Sequence, residues 1–408
     1  MKICIISTRH SLDDARVVHK EAKSLANAGH DVCLIFSCNE RYEYVRSDRS
    51  VIAKGAPIDG RCEYMGLKVY GYPKRKGVVG KWRTFLELSR LAVDLRADVY
   101  HAHEPDVSLM IAVRAKKMLL KQGLRVLVVH DIHEYPPGAV ADGYPRFLKL
   151  PVLLAHILWD WLLMKRVDQV FTANNIVKGY ALTLNFRMSV DVLYNGPILS
   201  LFPQPTERTC LDAGEKVWLC HEGSLPFNRG LREMIAAVHQ LRDKVCLKIV
   251  GDVYGAEREW LMQEIEDKKL HDTIMITGWL PYEKVGEAIN DCHLGLILFR
   301  DSINNRLAGP PNKLFNYMNA GLPLLSVDFP EMRQIILDEK CGVLIHDQNT
   351  QSIIDAIESL LLNRDNLRNM SENGQRAIRE RYSWEAMERK LLLSYQRLSK
   401  IFHDNKRN

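Results

Sequence analysis

The sequence predicts an α/β fold with two doubly wound parallel sheets. Three observations predict it. Short continuous apolar runs of strand length recur along the chain, amphipathic helical segments separate them, and the alternation restarts after one Pro-rich break. In the first half KICIIST, HDVCLIFS, VYHAHE, RVLVVHD, QVFTANN and VDVLYNG read as strands. ARVVHKEAKSLANAG, KWRTFLELSRLAVDLRA and SLMIAVRAKKMLLKQ read as helices, the first ending on Gly29 as its cap. GPILSLFPQPTERTCLDAGE, rich in Pro and turn residues, reads as a linker. Beyond it VWLCHEG, LKIVGD, IMITG, LGLILF, LPLLSVD and GVLIH are strands, with helices such as LREMIAAVHQL and SIIDAIESLLL between them. The predicted boundaries are residues 1–195 for the first domain, 196–214 for the linker and 215–382 for the second domain. Ligands of such sheets bind beyond the carboxyl ends of the strands, and a cleft between two facing domains is the expected site.

Of the 408 residues, 47% are hydrophobic and 26% charged, which is ordinary for a globular protein of two domains. MKICIIST runs straight into a strand pattern, so no signal peptide is expected. Nine scattered cysteines without a Cys-x-x-Cys suit buried thiols in a cytoplasmic protein. Net charge is +6, with Lys74, Arg75, Lys76, Lys81 and Arg83 close together. That cluster is a set of solvated helix faces, a contact for an acidic substrate, or a contact for an anionic membrane. No recognition module accompanies it, so nucleic acid is not a predicted partner. FLKLPVLLAHILWDWLLMKR falls short of a membrane span. A buried helix of the first domain is the simpler reading, and an apolar face lying on an anionic bilayer is the alternative.

Chemistry-bearing residues gather at predicted strand ends. In GPPNKLFNYMNAGLP, Asn312 is placed to cap a helix that follows Pro311. Leu314, Phe315 and Met318 face inward, and Asn312, Lys313 and Asn316 share the other face. A helix N-terminus reinforced by Lys313 suits a phosphate. HEGSLPFNRGL carries Gly223, Ser224 and Gly230, with Arg229 where a diphosphate would sit. It lacks the endings of a P-loop and of the dinucleotide fingerprint, which argues against a dehydrogenase. Gly251 and Asp252 in IVGD, and Gly278, Trp279 and Leu280 in TGWLP, are loops that could read a flat base. HAHEPD supplies His101, His103 and Glu104, and HDIHEYPP supplies His130, Asp131, His133 and Glu134. Their spacing follows strand alternation instead of a helical His-x3-His, so polar contact with a substrate is preferred to a metal. Structural hydrogen bonding is the plain alternative.

In order and spacing, these stretches resemble the family 4 glycosyltransferases of GT-B fold. DDARVVHKEAKSLANAGHDV is similar to one bacterial branch, HDIHEYPP resembles the segment carrying the active-site histidine, and HEGSLPFNRGL, IVGD, ITGWLP and PNKLFNYMNAGLP follow in family order. YSWEAMERKLLLSYQRL resembles the closing helix, over 383–400, that crosses back to the first domain. The resemblance implies transfer of a sugar from a UDP- or GDP-sugar, with retained configuration and no metal or other cofactor. The acceptor would be a saccharide or lipid-linked saccharide in bacterial surface polysaccharide synthesis. Donor contacts would come from Gly223, Ser224, Arg229, Gly251, Asp252, Gly278, Trp279, Leu280, Pro311, Asn312, Lys313, Leu314 and Asn316. His133, Arg229 and Lys313 would be catalytic, and His103, Glu104, Asp131 and Glu134 would lie on the acceptor side. The enzyme would be cytoplasmic, peripheral on the inner face of the membrane. The family's two glutamates fall at Ala308 and Asn316, so neither carboxylate is present, and Asp301 or Glu331 could substitute for the first. Ser224 stands where the family often has arginine. A non-catalytic nucleotide-sugar-binding or partner-stabilising protein and a nucleotide-sugar epimerase are the alternatives.

Overall fold

The computed structural model describes residues 1–46, 50–57, 60–104, 106–202, 204–205, 215–307 and 309–404. Ala308, part of the predicted linker and the last four residues therefore lie outside the described residues. The chain divides into two units: Met1–Tyr194 with Glu388–Asn408, and Asn195–Met387.

Unit 1 holds β1 (Lys2–Ser7), β2 (Asp31–Cys38), β3 (Glu43–Val45), β4 (Val51–Lys54), β5 (Cys62–Tyr64), β6 (Leu67–Pro73), β7 (Val99–His103), β8 (Leu127–Ile132), β9 (Gln169–Thr172) and β10 (Ser189–Val192). Its main sheet runs β10-β9-β8-β7-β1-β2-β6-β5. All neighbours pair in parallel except β5 with β6, and β3 and β4 form a separate antiparallel ribbon. Burial on both faces is why β1, β7 and β8 read as continuous apolar runs: Ile3, Ile5 and Ile6 are fully buried, as are Val99, Tyr100 and Val128. The order reverses direction between β1 and β7, which opens a crevice at their carboxyl ends.

Unit 2 holds β11 (Val217–Glu222), β12 (Val245–Val250), β13 (Ile274–Ile276), β14 (Leu294–Ile297), β15 (Leu324–Val327) and β16 (Gly342–Ile345) in the parallel order β13-β12-β11-β14-β15-β16. Here the reversal falls between β11 and β14. The predicted strands are all present, in the α/β arrangement expected.

Three readings of the sequence change. First, β3 to β6 were not predicted. β3 to β5 are only three or four residues long and partly polar, and β6 ends in Gly-Tyr-Pro, so they lack the unbroken apolar signature of the other strands. Second, Asn312 does not cap its helix. The helix spans Asn312–Ala320 with Pro311 as the extended capping residue, and the Asn312 side-chain oxygen accepts from Asn195 Nδ2 at 2.7 Å. Every residue from Lys313 to Ala320 is buried, so Lys313 and Asn316 of the predicted polar face are enclosed while Asn312 stays exposed. Third, the helix Arg146–Met164 is not a core helix: its most apolar window is only 11% buried. By length and composition it could cross a membrane.

Candidate functional site

In unit 2 the site forms where the strand order reverses. Gly223 follows β11 with φ +88°, and Gly251 follows β12 with φ +145°, a backbone conformation open to glycine. The two turns nearly touch: a Cβ on Gly251 would lie 2.6 Å from the Gly223 carbonyl oxygen. Gly251 N donates to Thr277 Oγ1 at 3.2 Å, and Thr277 Oγ1 donates to the Gly278 carbonyl at 2.9 Å. The loops after β11, β12 and β13 are thus knit together. The helix Asn312–Ala320 is tied to the same place. Tyr317 OH accepts from Glu222 N at 2.6 Å and donates to the Cys220 carbonyl at 3.2 Å. Its ring lies on Gly295 of β14, where any Cβ would collide with it.

Lys313 is 5% exposed, and its Nζ is 3.1 Å from His221 Nε2. Burial, and then the neighbouring Arg229 guanidinium, push the ammonium down to about 7. Burial and Lys313 together hold His221 well below its ordinary range, so the ring is neutral, with Nε2 between Lys313 Nζ and the Ser224 carbonyl oxygen at 3.4 Å. Arg229 Nη1 donates to the Ser224 carbonyl at 3.2 Å, and its guanidinium stands 5.5 Å from the Phe299 ring centre. Two basic side chains thus lie beside one another at the mouth of β11, an arrangement that favours a multiply charged anion, which would draw a proton onto Lys313.

Asn316, 4% exposed, donates from Nδ2 to Glu222 Oε1 at 2.9 Å. Sequence reasoning passed over Glu222. Its signal was a carboxylate at the last position of a strand, directly before a glycine turn. Of the other predicted donor contacts, Asp252 is engaged by Val253 N at 2.8 Å and Arg258 Nη1 at 2.6 Å. Leu314 is fully buried, and its N–H donates to the Pro311 carbonyl, so it serves the core. Trp279 is exposed at the β13 loop and Leu280 is half-buried. Asp301 is exposed and held by Arg306, and Glu331 is buried.

Unit 1 contains a cavity of about 940 Å³ lined by segments that follow β1, β2, β6, β7 and β8. His133, Glu104 and Glu134 line it, with Arg9, Lys74 and Lys76. Glu104 Oε1 accepts from His133 N and Glu134 N, both at 2.8 Å, while burial raises its carboxyl to about 8. His133 Nε2 lies 3.2 Å from Asp131 Oδ2 and 3.1 Å from His103 Nδ1. Burial lowers the ring's pKa against the pull of Asp131. His103 and Asp131, predicted to face an acceptor, are instead fully buried and hold His133 from behind. Strand alternation sends them inward, toward the π-helical turn Ala15–Ala22.

That turn completes a buried network. Arg16 donates to both oxygens of Asp131, at 2.8 and 2.9 Å, and lies 3.1 Å from Glu21 Oε1. Glu21, His101, His103 and Asp131 bring potential metal-ligating atoms within 4.8 Å of one another. The Arg16 guanidinium supplies positive charge to Asp131 and lies beside Glu21, whose carboxyl is pushed well above its ordinary range by burial and by Asp131. Both Glu21 oxygens and the Nε2 atoms of His101 and His103 have no hydrogen-bond partner among the described residues. Tyr395 OH, on the C-terminal helix Trp384–Asp404, lies 2.9 Å from His101 Nδ1 at the edge of this group. Arg16→Met is expected to cost roughly 3–5 kcal/mol, because it strands buried carboxylates. A lowered melting temperature for the folded chain measures this, and an unchanged one contradicts it.

Residues 15–196 match the glycosyl transferase 4-like domain, and residues 211–377 match the group 1 glycosyl transferases. An uncharacterized glycosyltransferase of Methanocaldococcus jannaschii is 24% identical over 245 residues, 58% of this chain and 60% of that protein. The match therefore spans under two thirds of that relative's length. Sucrose-phosphate synthase from Thermosynechococcus elongatus superposes with a TM-score of 0.68 at 15% identity, over 98% of this chain and 99% of that one. HepE of Anabaena, solved in complex with UDP-glucose, gives 0.69 at 14% identity, over 97% and 99%. The chain thus has the GT-B fold, its first half similar to glycosyl transferase 4-like domains and its second half to group 1 glycosyl transferases.

Proposed function

We propose that this protein transfers a sugar from a nucleotide-diphosphate sugar to a saccharide or lipid-linked saccharide in bacterial surface polysaccharide synthesis, with retention of configuration. The observation that carries the reading is the pair of cations, Arg229 and buried Lys313, at the strand-order reversal of unit 2. Growing negative charge on a departing diphosphate is what such a pair stabilises. Those two side chains supply charge that a divalent cation would otherwise supply, which favours a metal-independent reaction. The HepE likeness favours UDP over GDP.

In the proposed step the bond between anomeric carbon and diphosphate oxygen breaks. The acceptor oxygen bonds to the same face of that carbon and loses its proton to the departing diphosphate. Glu222, held by Asn316, takes the ribose hydroxyls in place of the missing helix glutamate. The unit 1 cavity holds the acceptor, and His133 on its wall is assigned to the reacting sugar.

A thermal-shift series with UDP, GDP and ADP tests the donor site. A ligand at a hundredfold excess over its dissociation constant stabilises the native state by about 2.7 kcal/mol. One diphosphate is expected to raise the melting temperature, and Arg229→Ala to abolish the rise. An unaltered rise in that variant removes Arg229 from the site. Asn316, standing where the family has a carboxylate, favours a second reading as a nucleotide-sugar-binding protein without turnover. Slow hydrolysis of one donor from a nucleotide-sugar panel supports the enzyme. Tight binding with no hydrolysis or transfer supports the second reading.

A further inference from the structure

We propose that unit 1 docks on an anionic lipid bilayer through the outer face of the helix Arg146–Met164 and the start of the helix Gly77–Leu95. On the first helix Phe147, Leu150, Leu154 and Leu158 are 78%, 64%, 56% and 58% exposed. Their spacing of three, four and four residues puts them in one stripe. Its one acidic residue, Asp160, is buried and accepts from Tyr180, so no carboxylate of the helix faces outward. Exposed Arg146, Lys165 and Arg166 flank the stripe, and Lys165 Nζ sits 3.2 Å above the Trp161 ring. At the start of the second helix Val78, Val79 and Trp82 are 85%, 83% and 56% exposed, bracketed by Lys74, Lys76, Lys81 and Arg83.

Topology places the two patches on one side of the sheet. The connections β6 to β7 and β8 to β9 run in the same direction across parallel strands, so right-handed crossovers put both helices on the same face. Topology also excludes a span. β8 and β9 are hydrogen-bonded neighbours, and the segment joining them cannot cross about 30 Å of hydrocarbon and still return β9 to its place. An apolar stripe with aromatic and basic flanks lying in the interface plane is what remains.

Charge decides the occupant. A two-fold contact with a second copy would bring like-charged basic flanks together. An anionic headgroup layer complements them. Lys74 and Lys76 border the Val78–Val79 patch and also line the unit 1 cavity. Docking therefore presents that cavity to a lipid-linked acceptor. This consequence rests on the function proposed above; the docking itself does not.

Flotation of the full chain with phosphatidylcholine vesicles, with and without phosphatidylglycerol, at low and high salt, tests the proposal. The chain is expected to float with the anionic vesicles at low salt and to stay behind with phosphatidylcholine alone. Leu154→Asp with Leu158→Asp, and separately Val78→Asp with Val79→Asp, are each expected to lower the bound fraction about tenfold. These positions are exposed, and a ligand-free melting temperature and circular dichroism spectrum unchanged from the parent's show that each variant is folded. No flotation at low salt, or variants that float like the parent, overturns the proposal. So does a dimer in size-exclusion chromatography that the variants split, which would give the face to a second copy. A chain that floats but shows no nucleotide shift keeps the docking and loses only the transferase reading.

Discussion

Replacing Lys313 by alanine is expected to lower turnover by about 10²–10³-fold, the scale of losing one preorganised donor to developing charge. The parent should also show a pH signature that this variant lacks. Burial, reinforced by Arg229, depresses the Lys313 ammonium from its ordinary value of 10.5 to about 7. A bound diphosphate reverses that, because its charge favours the protonated amine. Binding above neutrality therefore takes up a proton, and nucleotide affinity falls as pH rises from about 7 to 9, by at most about one decade per pH unit. Calorimetric titration in buffers of different ionisation heat reads the uptake directly. The apo protein carries the opposite slope. Its folded pKa is depressed, so the unfolded chain binds more protons between about 7 and 10.5, and this residue's contribution to stability rises with pH through that window. A parent protein whose affinity is flat from neutral to alkaline pH would take Lys313 out of the anion site.

Exchanging the partners of the Glu222–Asn316 pair is the second large effect. Glu222→Gln is expected to weaken nucleotide binding about 10- to 100-fold, the range of a hydrogen bond to a charged group. Asn316→Glu alone sets two carboxylates at hydrogen-bonding distance and should also weaken binding, since both cannot stay ionised. The double variant, with Gln at 222 and Glu at 316, restores one carboxylate and one amide to the same pair, and should recover most of the loss. Dideoxynucleotides supply the control: they should bind the parent about as poorly as ribonucleotides bind Glu222→Gln. A double variant no better than either single one would show that the carboxylate acts elsewhere.

The parallel strands were legible because burial on both faces forces unbroken apolar runs such as KICIIS and VCLKIV. The strands β3 to β6 were not, because partial exposure and a Gly-Tyr-Pro ending blur that code in LKVYGYP. In the proposed donor site the sequence marked the glycine turns and basic residues: Gly223, Gly251 and Gly278 have positive φ, and Arg229 lies beside Lys313. Glu222 was hidden because its meaning comes from Asn316, which reaches it from a distant helix.

Residue order alone established the two alternating α/β halves and the basic and glycine-bearing strand ends, since periodicity and turn chemistry are local properties. Folding in three dimensions settled which polar groups meet. Arg16 reaches Asp131, and His103 ends up supporting His133 instead of facing solvent. It also settled that the apolar helix Arg146–Met164 stays largely uncovered. Burial depends on what packs against a surface, and a side chain's neighbours across the sheet are not written beside it in the chain.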